Sequence, residues 1–187
     1  MKRVSQKILH QGKWLTFQEE VFETSQGERV LWETLRRNHP GQIGVVIARL
    51  MPSRRFVFIK QFRPAINGYI LGLPTGMIGK NPKDALRELK EETGYIGKIV
   101  DQSPALSANA GMINDDCTVV CVEINENDPR NKNPQQELEP TEVIEVILVK
   151  ESQARKFLLA QGRKKIRISS GLWYIFGLQL FVGPQSI

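Results

Sequence analysis

Residues Asn81 to Tyr95 read N-P-K-D-A-L-R-E-L-K-E-E-T-G-Y, a short helix with its own punctuation. Asn81 suits an N-cap, Pro82 the first helical position, and Asp84 the electropositive first turn. Gly94 suits the residue just past the last turn, where a left-handed backbone is common. At ~100° per residue, Ala85, Leu86, Leu89 and Thr93 form one stripe, the face expected to meet a core. Glu88, Glu91 and Glu92 fall on an adjacent stripe, within about 100° of one another. Carboxylates at those spacings repel by about 0.2–0.5 kcal/mol per pair in water. A hard divalent cation such as Mg2+ or Mn2+ reverses that sign, because carboxylate oxygens and substrate phosphates bind it together. A solvated acidic face balanced by Arg87 and Lys90 is the plainer account of the same pattern.

The chain has 187 residues, 41% hydrophobic and 25% charged, which is ordinary for a globular protein. No apolar run approaches the ~18 residues of a membrane span, so no membrane partner is expected. The N-terminus M-K-R-V-S-Q-K-I-L-H is charged but lacks the apolar segment of a secretory signal. Cys117 and Cys121 on one strand would stand ~13 Å apart, beyond disulfide reach. A cytoplasmic location follows as the expectation. The net charge of +6 suits an anionic ligand. The run Arg163 to Arg167 reads as a solvated helix end or turn, and no interleaved aromatics support a nucleic-acid groove.

Residues 1–38 read as a β appendage, a hairpin with strands Trp14–Phe22 and Arg29–Arg36 around Ser25-Gln26-Gly27-Glu28. Residues 39–187 read as the main domain. Strands are expected at Gln42–Leu50, Arg55–Gln61, Ile70–Pro74, Ile96–Asp101, Cys117–Ile124 and Thr141–Val149. A polar loop separates the last two, from Asn125 to Pro140. Loops of that length are usually functional or disordered. Helices follow at Glu151–Gln161, closed by Gly162, and at Gly171–Phe181, capped by Ser169 or Ser170. Strands around a central helix with two closing helices predict an α/β/α sandwich with a mixed sheet.

R-E-L-K-E-E-T-G-Y resembles the second half of the Nudix box, G-x5-E-x7-R-E-U-x-E-E-x-G-U, where U is aliphatic. The match is at Arg87, Glu88, Leu89, Glu91, Glu92 and Gly94. The resemblance implies a Nudix-type α/β/α sandwich and a hydrolase of nucleoside diphosphates linked to another moiety. Glu88, Glu91 and Glu92 would be its metal ligands and the backbone carbonyl of Thr75 would complete the shell. The first half of the box departs from the pattern. Ten residues lie between Gly76 and Arg87, three fewer than the pattern asks. The first box glutamate aligns near Lys80, a reversal of charge.

The likeness extends to I-K-Q-F-R-P-A-I-N-G-Y, to L-P-T-G, and to G-K-W with V-L-W-E-T-L-R-R. These runs are similar to the ADP-sugar (ADP-ribose) pyrophosphatases. In that group the appendage forms a homodimer and the site is shared between subunits. The resemblance implies that Trp14 and Trp32 sandwich the adenine, and that Arg37 and Arg63 contact phosphates and sugar. Flat aromatic faces and bidentate guanidinium groups suit those roles. Hairpin packing and surface ion pairs account for the same residues equally well. Glu142 aligns with a glutamate that assists water attack, and Glu137 and Glu139 stay open beside it. Ala110 replaces the group's usual proline, while Gly111 is retained, which leaves nucleotide sugars other than ADP-ribose open. Two alternatives follow from the shortened loop and from the charge: a nucleotide-sugar-binding protein without turnover, and an RNA-processing or RNA-binding protein.

Overall fold

The computed structural model describes residues 1–39, 41–79 and 81–178. Two sheets are present among them. The first is antiparallel and three-stranded, from β1 (Lys2–Gln11), β2 (Leu15–Glu23) and β3 (Arg29–Arg37). The expected hairpin is β2 with β3, and β1 is an added strand. Its K-R-V-S-Q-K-I-L-H-Q is exposed along its whole length, so it carries no alternation that could announce it. Trp14 lies in the turn before β2 rather than inside the strand.

The second sheet is mixed. Its strands are β4 (Gln42–Met51), β5 (Arg55–Arg63), β6 (Gly68–Gly72), β7 (Thr75–Ile78), β8 (Lys98–Gln102), β9 (Leu106–Ser107), β10 (Asp116–Asn125), β11 (Ile144–Lys150) and β12 (Arg167–Ile168). β4 is the pivot. It runs parallel to β10 on one side, with Val45 opposite Val119. On the other side it meets β7 at one end and β5 at the other, both antiparallel. β6 also pairs with β5, so the chain leaves β5's neighbourhood at Leu73-Pro74 and re-enters the sheet beside β4. The expected strand Ile70–Pro74 therefore divides into two.

Alternation along β4 explains the layers. Val46, Ala48 and Leu50 are buried on one face with Val57, Val120, Val122 and the Ala85 and Leu89 side chains of α1 (Asp84–Thr93). Val45 and Ile47 face the opposite cluster, where Phe56, Phe58 and Leu71 meet Leu158 of α2 (Ala154–Arg163) and Leu172 of α3 (Ser170–Phe176). Helices on both faces make the expected α/β/α sandwich. Among the described residues, no helix is long and apolar enough to cross a membrane.

Boundaries differ where local chemistry overrides the pattern. α1 begins at Asp84, because residues 81–83 form a tighter turn whose carbonyls accept from the amides three residues on. Asn81 still caps that turn, its Oδ1 accepting from the Lys83 amide at 3.0 Å. Gly162 lies inside α2, which ends at Arg163. Ser169 caps α3, accepting from the Leu172 amide. α3 stops at Phe176, short of the expected Phe181, with Gly177 and Leu178 outside the helix; residues past 178, and the reading of Lys80, lie outside the described residues.

Gly94 ends α1 with φ of +75°. A Cβ there would stand 2.4 Å from the amide nitrogen of Gln135, which is backbone and cannot swing aside. Gly94→Ala is expected to cost at least about 2 kcal/mol, from left-handed strain plus that clash. Urea unfolding measures it; a loss under about 0.5 kcal/mol would mean the 134–135 loop gives way freely.

Candidate active site

The site is built where α1 crosses β7. Ala85 and Leu89 are fully buried under β4 and so fix the rotation of the helix. That rotation turns Glu88 and Glu92 inward and leaves Glu91 half-buried beside them. Glu92 is only 3% exposed and accepts a 2.9 Å hydrogen bond from the Thr75 amide. Glu88 lies over Gly76, where a Cβ would overlap its carboxylate at 2.0 Å. The glycine leaves the space that the Glu88 carboxylate fills.

Electrostatics show how crowded the patch is. Burial pushes Glu92 up to about 8, against the Thr75 hydrogen bond; the charges of Glu142 and Glu88 push the same way, and Arg63 opposes them. Burial also raises Glu88, with Arg87 beside it pulling down and Glu91 and Glu142 pushing up. Glu88, Glu92 and Glu142 thus feel one another, with Arg63 near enough to matter. Arg87 offsets part of this charge. It donates to Glu88 at 2.6 Å and to Glu91 at 2.5 Å, bridging the two carboxylates. No three acidic, histidine or cysteine side chains among the described residues are already gathered for a cation.

The three candidates of the 125–143 loop separate clearly. Glu137 is paired with Lys90 at 2.6 Å. Glu139 offers its backbone amide, which donates to Glu142 Oε2 at 2.9 Å. Glu142 is the one whose charge reaches Glu88 and Glu92. The loop itself is far from featureless. Buried Asn131 donates to the carbonyls of Ile96 and Asn125 and accepts from the Ile96 amide.

A cavity of about 710 Å³ opens between the first sheet and the 107–116 loop, lined by Trp32, Thr34, Leu35, Gly111 and Met112 among others. Open space surrounds the Cα of Gly111. The loop is strapped to the β3 edge, Leu35 donating to the Met112 carbonyl at 2.8 Å. Arg37 reinforces the strap with two bonds to Asp115, from Nε at 3.0 Å and Nη2 at 2.6 Å. Sequence reasoning missed Asp115, since nothing local links it to a residue so distant in the chain. Trp32 and Gly111 therefore share a cavity, Arg37 flanks it, and Arg63 stands near Glu92. Trp14 is elsewhere, 61% exposed, its ring 5.1 Å from that of His39 and under the Lys13 ammonium.

A helix that presents carboxylates over a glycine of the neighbouring strand, on a mixed sheet covered on both faces, is the arrangement that the Nudix resemblance leads one to expect. The chain is 34% identical to a putative Nudix hydrolase of Caenorhabditis elegans, over 94% of this chain and 84% of that one. It is 32% identical to an ADP-sugar pyrophosphatase of Mus musculus, over 94% and 85%. An ADP-ribose pyrophosphatase of Saccharomyces cerevisiae is 32% identical over 73% of this chain and 64% of its own. A solved ADP compounds hydrolase shares the fold, with a TM-score of 0.65, 18% identity, and 85% and 84% coverage. No protein-family model matches. The chain belongs to the Nudix hydrolases.

Gly76→Ala is expected to move the Glu88 carboxylate rather than the backbone. Stability by urea unfolding should change by less than about 1 kcal/mol, while turnover falls at least about 100-fold. Unchanged turnover would show that Glu88 is not needed over the glycine.

Proposed function

We propose that the protein hydrolyses the pyrophosphate bond of a nucleoside diphosphate sugar, ADP-ribose first among candidates. Water and ADP-ribose would give AMP and ribose 5-phosphate. The observations that carry this reading are the Glu92 carboxylate buried beneath the Thr75 amide and the Glu88 carboxylate seated over Gly76, both on α1. The names of the relatives, ADP-sugar and ADP-ribose pyrophosphatase, support the substrate class.

Nudix hydrolases use divalent cations, and the residues here fit one. The donor set is hard oxygen, the carboxylates repel without a counter-charge, and the Arg87 guanidinium already stands in as a cation between Glu88 and Glu91. Glu88, Glu91 and Glu92, with the Thr75 carbonyl, would hold Mg2+ or Mn2+. The ion supplies neutralisation of the pyrophosphate and a more acidic water. Arg63 binds a phosphate oxygen through its guanidinium. Glu142 accepts the proton of the attacking water. Trp32 and Gly111 receive the nucleobase in the cavity beside the first sheet, whose volume suits a ligand of that size. Arg37, flanking it, contacts the substrate's phosphate and sugar side. Trp14 does not line that cavity, and it would meet a base in a homodimer, through the first sheet of a second copy. Residues 1–38 are thus the dimerisation appendage and 39–187 the hydrolase domain, in a cytoplasmic enzyme.

Arg87 also motivates a second reading. If its bridge to Glu88 and Glu91 persists with ligand bound, the protein is a nucleotide-sugar binder without turnover. A panel of nucleotide sugars assayed for nucleoside monophosphate release, alongside calorimetry, separates the two. Release is expected, and Glu92→Gln should reduce it at least about 1,000-fold with the fold intact by circular dichroism. Tight binding with no release would select the second reading, and an undiminished rate in Glu92→Gln would overturn the metal assignment.

A further inference from the structure

Every helix end leaves its last carbonyls without partners inside the helix. In α1 the ladder closes with the Gly94 amide on the Lys90 carbonyl at 2.7 Å. The carbonyls of Glu91 and Glu92, beyond that bond, are met from a distant part of the chain. The Glu137 amide donates to the Glu91 carbonyl at 2.8 Å. The side-chain amide of Gln136 donates to the Glu92 carbonyl at 2.6 Å. The same Gln136 nitrogen donates to the Ile144 carbonyl, at 3.2 Å.

That double contact has a mechanical meaning. Residues 137–143 leave α1 at Gln136 and rejoin the sheet at Ile144, the first residue of β11. Gln136 clasps the two roots of this loop together and fastens both to the backbone of Glu92. Within the loop, Glu142 folds back on Glu139, whose amide holds its carboxylate, and the Val143 carbonyl accepts from the Phe62 amide at 3.2 Å. Among these bonds, Gln136 supplies the side-chain donor that ties both ends of the Glu142 loop to α1.

We propose that Gln136 is a positioning residue, which holds Glu142 against the carboxylate patch by capping α1 and closing the loop that carries Glu142. It touches neither substrate nor cation. This rests on the functional reading above for its catalytic consequence, though not for its mechanical one. A glutamine is suited to the task because its amide nitrogen offers two donors, one for each carbonyl. Methionine matches its length and shape and offers none.

Two measurements on the full-length protein test it. In Gln136→Met, kcat is expected to fall about 10- to 100-fold with KM within about twofold, the signature of a group needed after substrate binds. In a Glu142→Gln background the same substitution should change kcat by less than about twofold, because the residue it positions is already disabled. Multiplying effects, or a rise in KM alone, would overturn the proposal. The second measurement needs no activity. Backbone amide exchange in residues 137–143 should speed at least about 10-fold in Gln136→Met, while residues 85–90 of α1 keep their protection. Unchanged exchange in the loop would overturn the proposal even if the wild-type protein hydrolyses nothing. Should the loop loosen as expected in a protein without turnover, the functional reading fails and the clasp stands.

Discussion

The hydrogen bond from the Thr75 amide to Glu92 joins the two elements on which the site depends, α1 and β7. A carboxylate 3% exposed is costly to keep, and a single neutral donor does not offset its burial. Its cost is borne by the packing of Ala85 and Leu89 beneath β4, which no other rotation of the helix could satisfy. Stability is thus spent to place charge where charge is unfavourable, as happens at catalytic centres more than in structural cores. Arg87, Glu142 and Arg63 are arranged around that tension. Glu142 and Arg63 act in opposite directions on the buried Glu92, and Arg87 pulls Glu88 down against its burial.

How much of this could be read from the chain depends on the range of the interaction. The apolar stripe of α1 is local, and so were its buried face and the Gly94 end. The two core-facing sides of β4 follow from alternation in the same way. The burial of Glu92 was hidden, because a glutamate on a helix that also carries Arg87 and Lys90 reads as solvated. β1 was hidden for the opposite reason: every residue in it faces water, so it has no pattern to read. Arg37 with Asp115, and Gln136 with Glu92, join residues far apart along the chain, and no spacing rule anticipates them. Residues 125–140 look structureless in sequence because their order comes from backbone partners on α1 and from Asn131, not from apolar periodicity.

The family pattern and the structure meet imperfectly, and the mismatch is informative. The shortened approach to α1 is closed by Asp84, whose carboxylate accepts from the Gly79 amide at 2.8 Å. Arg87 turns onto Glu88 and Glu91 of its own helix.

The order of the strands has a consequence for how the protein is made. β4 and β5, the middle of the sheet, take their long partners from β10 and β11, which follow them by roughly the length of a small domain. Closing contacts across such separations is entropically slow. As the chain emerges from the ribosome, only the first sheet, whose strands are consecutive, can complete itself early. The apolar middle strands must wait, half-paired, until residue 150 has been synthesised. Late closure of the central sheet is what this topology imposes, whatever the site does.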